Sequence, residues 1–123
     1  MSLNILVVDP DAQIDGLDSE FQFTNCKTAE EAQGILHRER FNVAVLEPYR
    51  PIVQARDEDP MMDLMLMLML ESPSPKILIT SALPEVRVYR RYSLLKGVDY
   101  QDFLEKPYTS NQLRAAILKT VKT

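Results

Sequence analysis

Asn4-Ile5-Leu6-Val7-Val8-Asp9 decides the fold. It is a short aliphatic run, rich in β-branched residues, that ends on an acid. A continuous run of this length suits a strand buried on both faces. Asn42-Val43-Ala44-Val45-Leu46-Glu47 repeats the pattern, again with an acid at its end. Lys76-Ile77-Leu78-Ile79-Thr80-Ser81 is a third such run and ends in hydroxyls. Shorter strands are expected near Phe21–Cys26 and Gln101–Glu105.

Helical signals fall between the strands. Thr28-x-x-Glu31 reads as a capping box ahead of Ala29, Ala32, Ile35 and Leu36. Pro84 opens a helix carrying Val88, Tyr92 and Leu95 that stops at Gly97. Ser110 caps a last helix, with Leu113, Ala116, Ile117 and Val121 on one face. Strands alternating with helices imply a parallel sheet covered by helices on both faces. In such sheets the site lies at the carboxyl ends of the strands. There the sequence places Asp9, Glu47 and Thr80, with Lys106-Pro107 after the last strand.

Composition narrows the function. With 123 residues the chain has room for one domain, 1–123. The net charge of −4 argues against a broad nucleic-acid surface. A single cysteine, Cys26, excludes an internal disulfide and a cysteine-based zinc site, and His37 alone cannot build a multi-histidine centre. Three glycines, none in a phosphate-cradling loop, disfavour a nucleotide-binding enzyme. The longest apolar run, Leu64–Leu70, is far short of the roughly 20 residues needed to span a bilayer. No secretory signal is expected, and the expected location is the cytoplasm, without membrane contact.

These stretches, taken together, resemble the receiver domain of two-component response regulators. Ile5–Asp9 resembles the family's first strand and acidic corner, and Cys26–Ala32 its second-strand exit and following helix. Asn42–Glu47 with Pro51 resembles the acceptor strand and loop. Ile77–Ser81 matches the strand ending in a hydroxyl, and Phe103-Leu104-Glu105-Lys106-Pro107-Tyr108 the switch aromatic and lysine–proline signature. The resemblance implies a flavodoxin-like (βα)₅ fold with a five-stranded parallel sheet of order 2-1-3-4-5. It also implies phosphorelay signalling rather than enzymatic turnover. In the family an aspartate on the third strand takes a phosphoryl group from a histidine kinase, paired acids hold Mg²⁺, and a hydroxyl and a lysine contact the phosphoryl oxygens.

The sequence departs from that pattern. The acceptor position holds Glu47, longer than aspartate by a methylene, roughly 1.5 Å. The second acid of the corner is Pro10, so one metal ligand is missing; Asp9 and Asp11 are weak metal candidates only. The helix between the first and second strands is confined to Pro10–Ser19 and is expected to be two turns or less. The loop Pro48–Pro60 and the segment Val98–Gln101 are a few residues longer than usual.

The expectation is therefore a pseudo-receiver. Asp9, Glu47, Thr80 and Lys106 form a degenerate phosphoacceptor site without a cofactor, Lys106 pairs with Glu47, and Phe103 is the possible switch aromatic. Thr80 could equally bond the backbone. Expected partners are proteins, such as a histidine kinase or an output protein. Two alternatives stay open: a working phosphoacceptor that uses an atypical acid with Mg²⁺, and an unrelated small α/β enzyme on the same fold. The helix over Met61–Leu70, with five of the six methionines, reads either as core or as a surface for a partner or self-association. Arg87, Arg90, Arg91 and Lys96 read as a solvated face, Cys26 as core and His37 as solvent-facing.

Overall fold

The computed structural model describes residues 3–12, 14–17, 19–48, 60–89, 97 and 99–122. The order of elements is β1 (Leu3–Val8), β2 (Phe21–Asn25), α1 (Ala29–Ile35), β3 (Val43–Leu46), α2 (Pro60–Leu70), β4 (Lys76–Ser81), α3 (Glu85–Tyr89), β5 (Asp102–Glu105) and α4 (Ser110–Val121). All five strands are parallel, in the order β2-β1-β3-β4-β5. The aliphatic runs sit at the centre of the sheet. Val8 pairs with Leu46, Leu46 with Ile79 and Ser81 with Glu105, which aligns the strand ends.

Alternation along each strand divides the core in two. Leu6, Val8, Ala44, Leu46, Ile77 and Ile79 face α1 and α2. Ile5, Val7, Val43, Val45 and Leu78 face the other way, toward Leu113 and Ile117 of α4. That second face has thin cover. The described residues between β1 and β2 form turns rather than a helix, so the shortening of this crossover goes beyond a two-turn helix. Leu17 accepts from the N–H groups of Glu20 (3.1 Å) and Phe21 (3.2 Å). Gly16, at φ +80°, takes a turn conformation that a side chain would strain. Among the described residues of this segment, Leu17 alone reaches deep into the core, and Arg114 of α4 bonds Glu20 at 2.6 Å to close it down.

Helix ends differ from expectation in two places. Thr28 caps α1 by accepting from the Glu31 N–H, but the Glu31 carboxylate turns back to the Lys27 N–H at 3.4 Å, so the reciprocal half of the box reaches one residue too far. At α4 the cap is Thr109, not Ser110. Its hydroxyl accepts from the Gln112 N–H and the Gln112 side chain accepts from the Thr109 N–H, a complete capping box. Ser110 has no glutamine three residues on, and Thr109 does.

In α2, Met61, Met62, Leu64, Met65 and Leu68 are buried, while Leu66 and Leu70 are 40% and 85% exposed. The helix is therefore mainly core, with two leucines in solvent. Gly97 has φ +74°, the conformation expected of a helix stop. Tyr92, Leu95, Arg90, Arg91, Lys96 and most of the loop Pro48–Pro60 lie outside the described residues. No helix among the described residues is long and apolar enough to cross a membrane.

Candidate functional site

Register brings the strand-end residues to one rim. The ladders run one step past the strands: the Glu47 N–H bonds the Val8 carbonyl at 3.0 Å, and the Lys106 N–H bonds the Ser81 carbonyl at 2.8 Å. Asp9, Glu47, Thr80 and Lys106 thus stand side by side across β1, β3, β4 and β5.

Lys106 lies at the centre. An ammonium has three N–H donors, and three carboxylates take them: Asp9 Oδ1 at 2.6 Å, Asp11 Oδ2 at 3.0 Å, and Glu47 Oε2 in a short contact. Glu47 was the expected partner; Asp9 and Asp11 join it. Asp11 gets there because the chain turns at Pro10. The Ala12 N–H bonds the Asp9 carbonyl at 3.2 Å, and the Asp11 N–H bonds Asp9 Oδ1 at 3.0 Å. Pro10 contributes no ligand but folds Asp11 back over the rim.

Asp9 is the buried member, with its side chain wholly out of solvent. A carboxylate has about four acceptor positions. Oδ1 takes Lys106 and the Asp11 N–H. Oδ2 takes the Thr80 hydroxyl at 2.7 Å and the Tyr108 hydroxyl at 2.8 Å. All four positions are filled, and Thr80 therefore bonds a side chain rather than backbone. Burial alone would raise the Asp9 pKa, but the bonds from Lys106, Thr80, Tyr108 and the Asp11 N–H outweigh it and hold the pKa below the ordinary value. Burial would likewise lower the Lys106 pKa, but its bonds to Asp9, Glu47 and Asp11 carry it upward. Burial, then the bond to Asp9, pushes the Tyr108 phenol upward.

The sequence motif alone assigns Tyr108 no role. The sequence held one signal: a phenol next to a buried strand end needs a polar partner for its hydroxyl. Phe103 is half-buried and packs on the α1–α2 face. Cys26 is buried and unpaired, with its thiol pushed up first by burial and then by Glu31 and Glu39. His37 is exposed.

Asp9, Asp11 and Glu47 each bring a carboxylate oxygen within 4.8 Å of the others. Such hard oxygen donors suit Mg²⁺ in kind. In this arrangement the Lys106 ammonium bonds all three carboxylates, and the four acceptor positions of Asp9 are taken by Lys106, the Asp11 N–H, Thr80 and Tyr108.

Solved structures share this architecture. The chemotaxis response regulator CheY4 of Vibrio cholerae matches at TM-score 0.72 and 16% identity, over 98% of this chain and 99% of that one. A response regulator from Thermotoga maritima matches at TM-score 0.73 and 18% identity over the full length of both chains. A protein described as adenylate cyclase from Rhodopirellula baltica matches at TM-score 0.68 and 20% identity, over 99% of this chain and 89% of that one. No protein-family model matches the chain, and no curated protein matches it. The chain has the CheY-like receiver fold along nearly its whole length, and at these identities the likeness is one of fold.

Proposed function

We propose that this chain is a signalling domain of the response-regulator receiver type that works through protein contacts, without phosphorylation of Glu47 and without a metal cofactor. Its partners are a histidine kinase or an output protein of a phosphorelay, and it turns over no substrate. The observation that carries the reading is the Lys106 ammonium, whose three donors are taken by Asp9, Asp11 and Glu47. The rim neutralises part of its own charge from within.

Chemistry supports the same reading. Phosphoryl transfer needs an oxygen in line with the leaving group and a cation on the spreading charge. Glu47 is a methylene too long, and its Oε2 is held by Lys106. Thr80, the hydroxyl that would meet a phosphoryl oxygen, donates to Asp9 instead. One open groove of about 520 Å³, lined by Ile14, Asp15, Gly16, Phe21, Gln22 and Phe23, includes none of the rim residues and lends the enzyme reading no support. Self-association through Met61–Leu70 would use the exposed Leu66 and Leu70. Two leucines fall well short of the roughly 800 Å² per partner of a stable interface.

One observation favours the Mg²⁺-dependent phosphoacceptor: three carboxylates share one ammonium, so the cluster keeps an excess of negative charge. Acetyl phosphate with Mg²⁺, followed by mass spectrometry, separates the two readings by repair. Length and metal ligation are independent defects. Glu47→Asp alone is expected to stay poor, and Glu47→Asp with Pro10→Asp, which adds a ligand while Asp9 Oδ2 stays occupied, to recover some labelling. Full labelling of Glu47→Asp alone would show that the corner already binds its cation.

A further inference from the structure

We propose that Tyr108 is a positioning residue that, acting through Asp9, makes this rim independent of metal. The inference rests on the proposed function and names the residue that sets it. Three of the four donors to Asp9 can reorient without disturbing the core, or are purely local. Lys106 sits on a flexible four-carbon stem, Thr80 has a rotatable hydroxyl, and the Asp11 N–H belongs to the adjoining turn. Tyr108 differs. Its ring is buried in the cluster with Ile5, Val7, Leu113 and Ile117, and it directly precedes Thr109, the cap of α4. Core packing therefore fixes where the hydroxyl is presented, whether or not Asp9 is there to receive it.

The consequence falls on Asp9 Oδ2. Tyr108 and Thr80 together fill that oxygen, draw charge from the carboxylate and turn Oδ1 toward Lys106. A divalent cation needs an oxygen with free charge at near-ideal geometry. The unbranched Lys106 stem has other rotamers open to it once a cation competes for its carboxylates; the Tyr108 ring, packed in the core, has none. Burial and the bond to Asp9 both push the Tyr108 phenol upward in pKa, which favours its donating form. The same bond ties the end of β1 to the start of α4.

The test is Mn²⁺ binding, read by electron paramagnetic resonance, in the wild type and in Tyr108→Phe, which keeps the ring and removes the donor. The wild type should leave the ion free up to about 1 mM, and Tyr108→Phe should bind at least about tenfold more tightly, the change that 1.4 kcal/mol gives. Adding Asp9→Asn should abolish the gain. A structural role alone would lower stability without creating a cation site. If Tyr108→Phe binds no better than the wild type, the inference fails while the proposed function stands. If the wild type itself binds more tightly than about 0.1 mM, and Asp9→Asn removes that binding, both fail. Tyr108→Leu also removes the donor, at the cost of a cavity beside Leu113 and Ile117, and is the second variant should the phenylalanine one not fold.

Discussion

Replacing Lys106 with methionine keeps the bulk of the stem and removes the ammonium. Asp9 is then left buried without its cation, and Asp11 and Glu47 remain close by with none between them. Breaking a buried ion pair from one side costs about 3–5 kcal/mol. Two features place this case near the lower end. Asp9 keeps the Thr80, Tyr108 and Asp11 N–H donors, and it can take up a proton, which caps the penalty. About 3 kcal/mol is expected at pH 7. With a urea dependence of about 2 kcal/mol/M, that moves the unfolding midpoint down by about 1.5 M. Asp9→Asn removes the stranded charge, so combining it with Lys106→Met should recover much of the loss. The coupling is read from the four midpoints of the double-mutant cycle. A fall of less than about 1 kcal/mol in Lys106→Met, the range of a surface ion pair, would refute the buried-cation reasoning.

Other consequences are as direct. The Asp9 pKa is lowered in the fold, so its contribution is present above the unfolded value near 3.8 and is lost as pH falls through the folded one. The Lys106 pKa is raised, so its contribution holds below about 10.5 and is lost as pH climbs through the folded value. Midpoints should therefore be flat from these two groups between pH 5 and 9, and acid unfolding should begin at higher pH in Lys106→Met. Met65→Glu should prevent folding, because Met65 is wholly buried, whereas Leu70→Glu, on a residue 85% exposed, should change stability by under about 0.5 kcal/mol, both read by circular dichroism in urea. Thr109→Ala removes the α4 cap and should cost about 1 kcal/mol in the same assay.

The aliphatic runs made the sheet legible because a strand buried on both faces has to be apolar throughout. Once the strands were parallel, the residues after Val8, Leu46 and Glu105 had to share a rim, which made Asp9, Glu47 and Lys106 readable from position alone. What escaped depended on details that spacing does not encode. Nothing in Pro10-Asp11 says that the turn brings Asp11 within reach of Lys106; that follows from the bonds of Ala12 and Asp11 to Asp9. Tyr108 was hidden because a tyrosine in an aromatic position looks like packing until its hydroxyl is placed. The turns that stand among the described residues of the first crossover were only half visible. Pro10–Ser19 is plainly short, but Leu17 and the Arg114–Glu20 bond supply cover that local pattern could not show. In α2, uniform apolarity concealed which face is buried, because a helix without a polar side carries no moment to orient it.

Phosphoryl transfer to the wild-type protein tests the central claim most directly. The full chain is incubated with acetyl phosphate and Mg²⁺, and the intact mass is followed with time. The expected result is no adduct on Glu47 or Asp11 while the Lys106 cluster stays closed. A stoichiometric, Mg²⁺-dependent gain of one phosphoryl group on either residue would contradict the pseudo-receiver reading and establish a working phosphoacceptor.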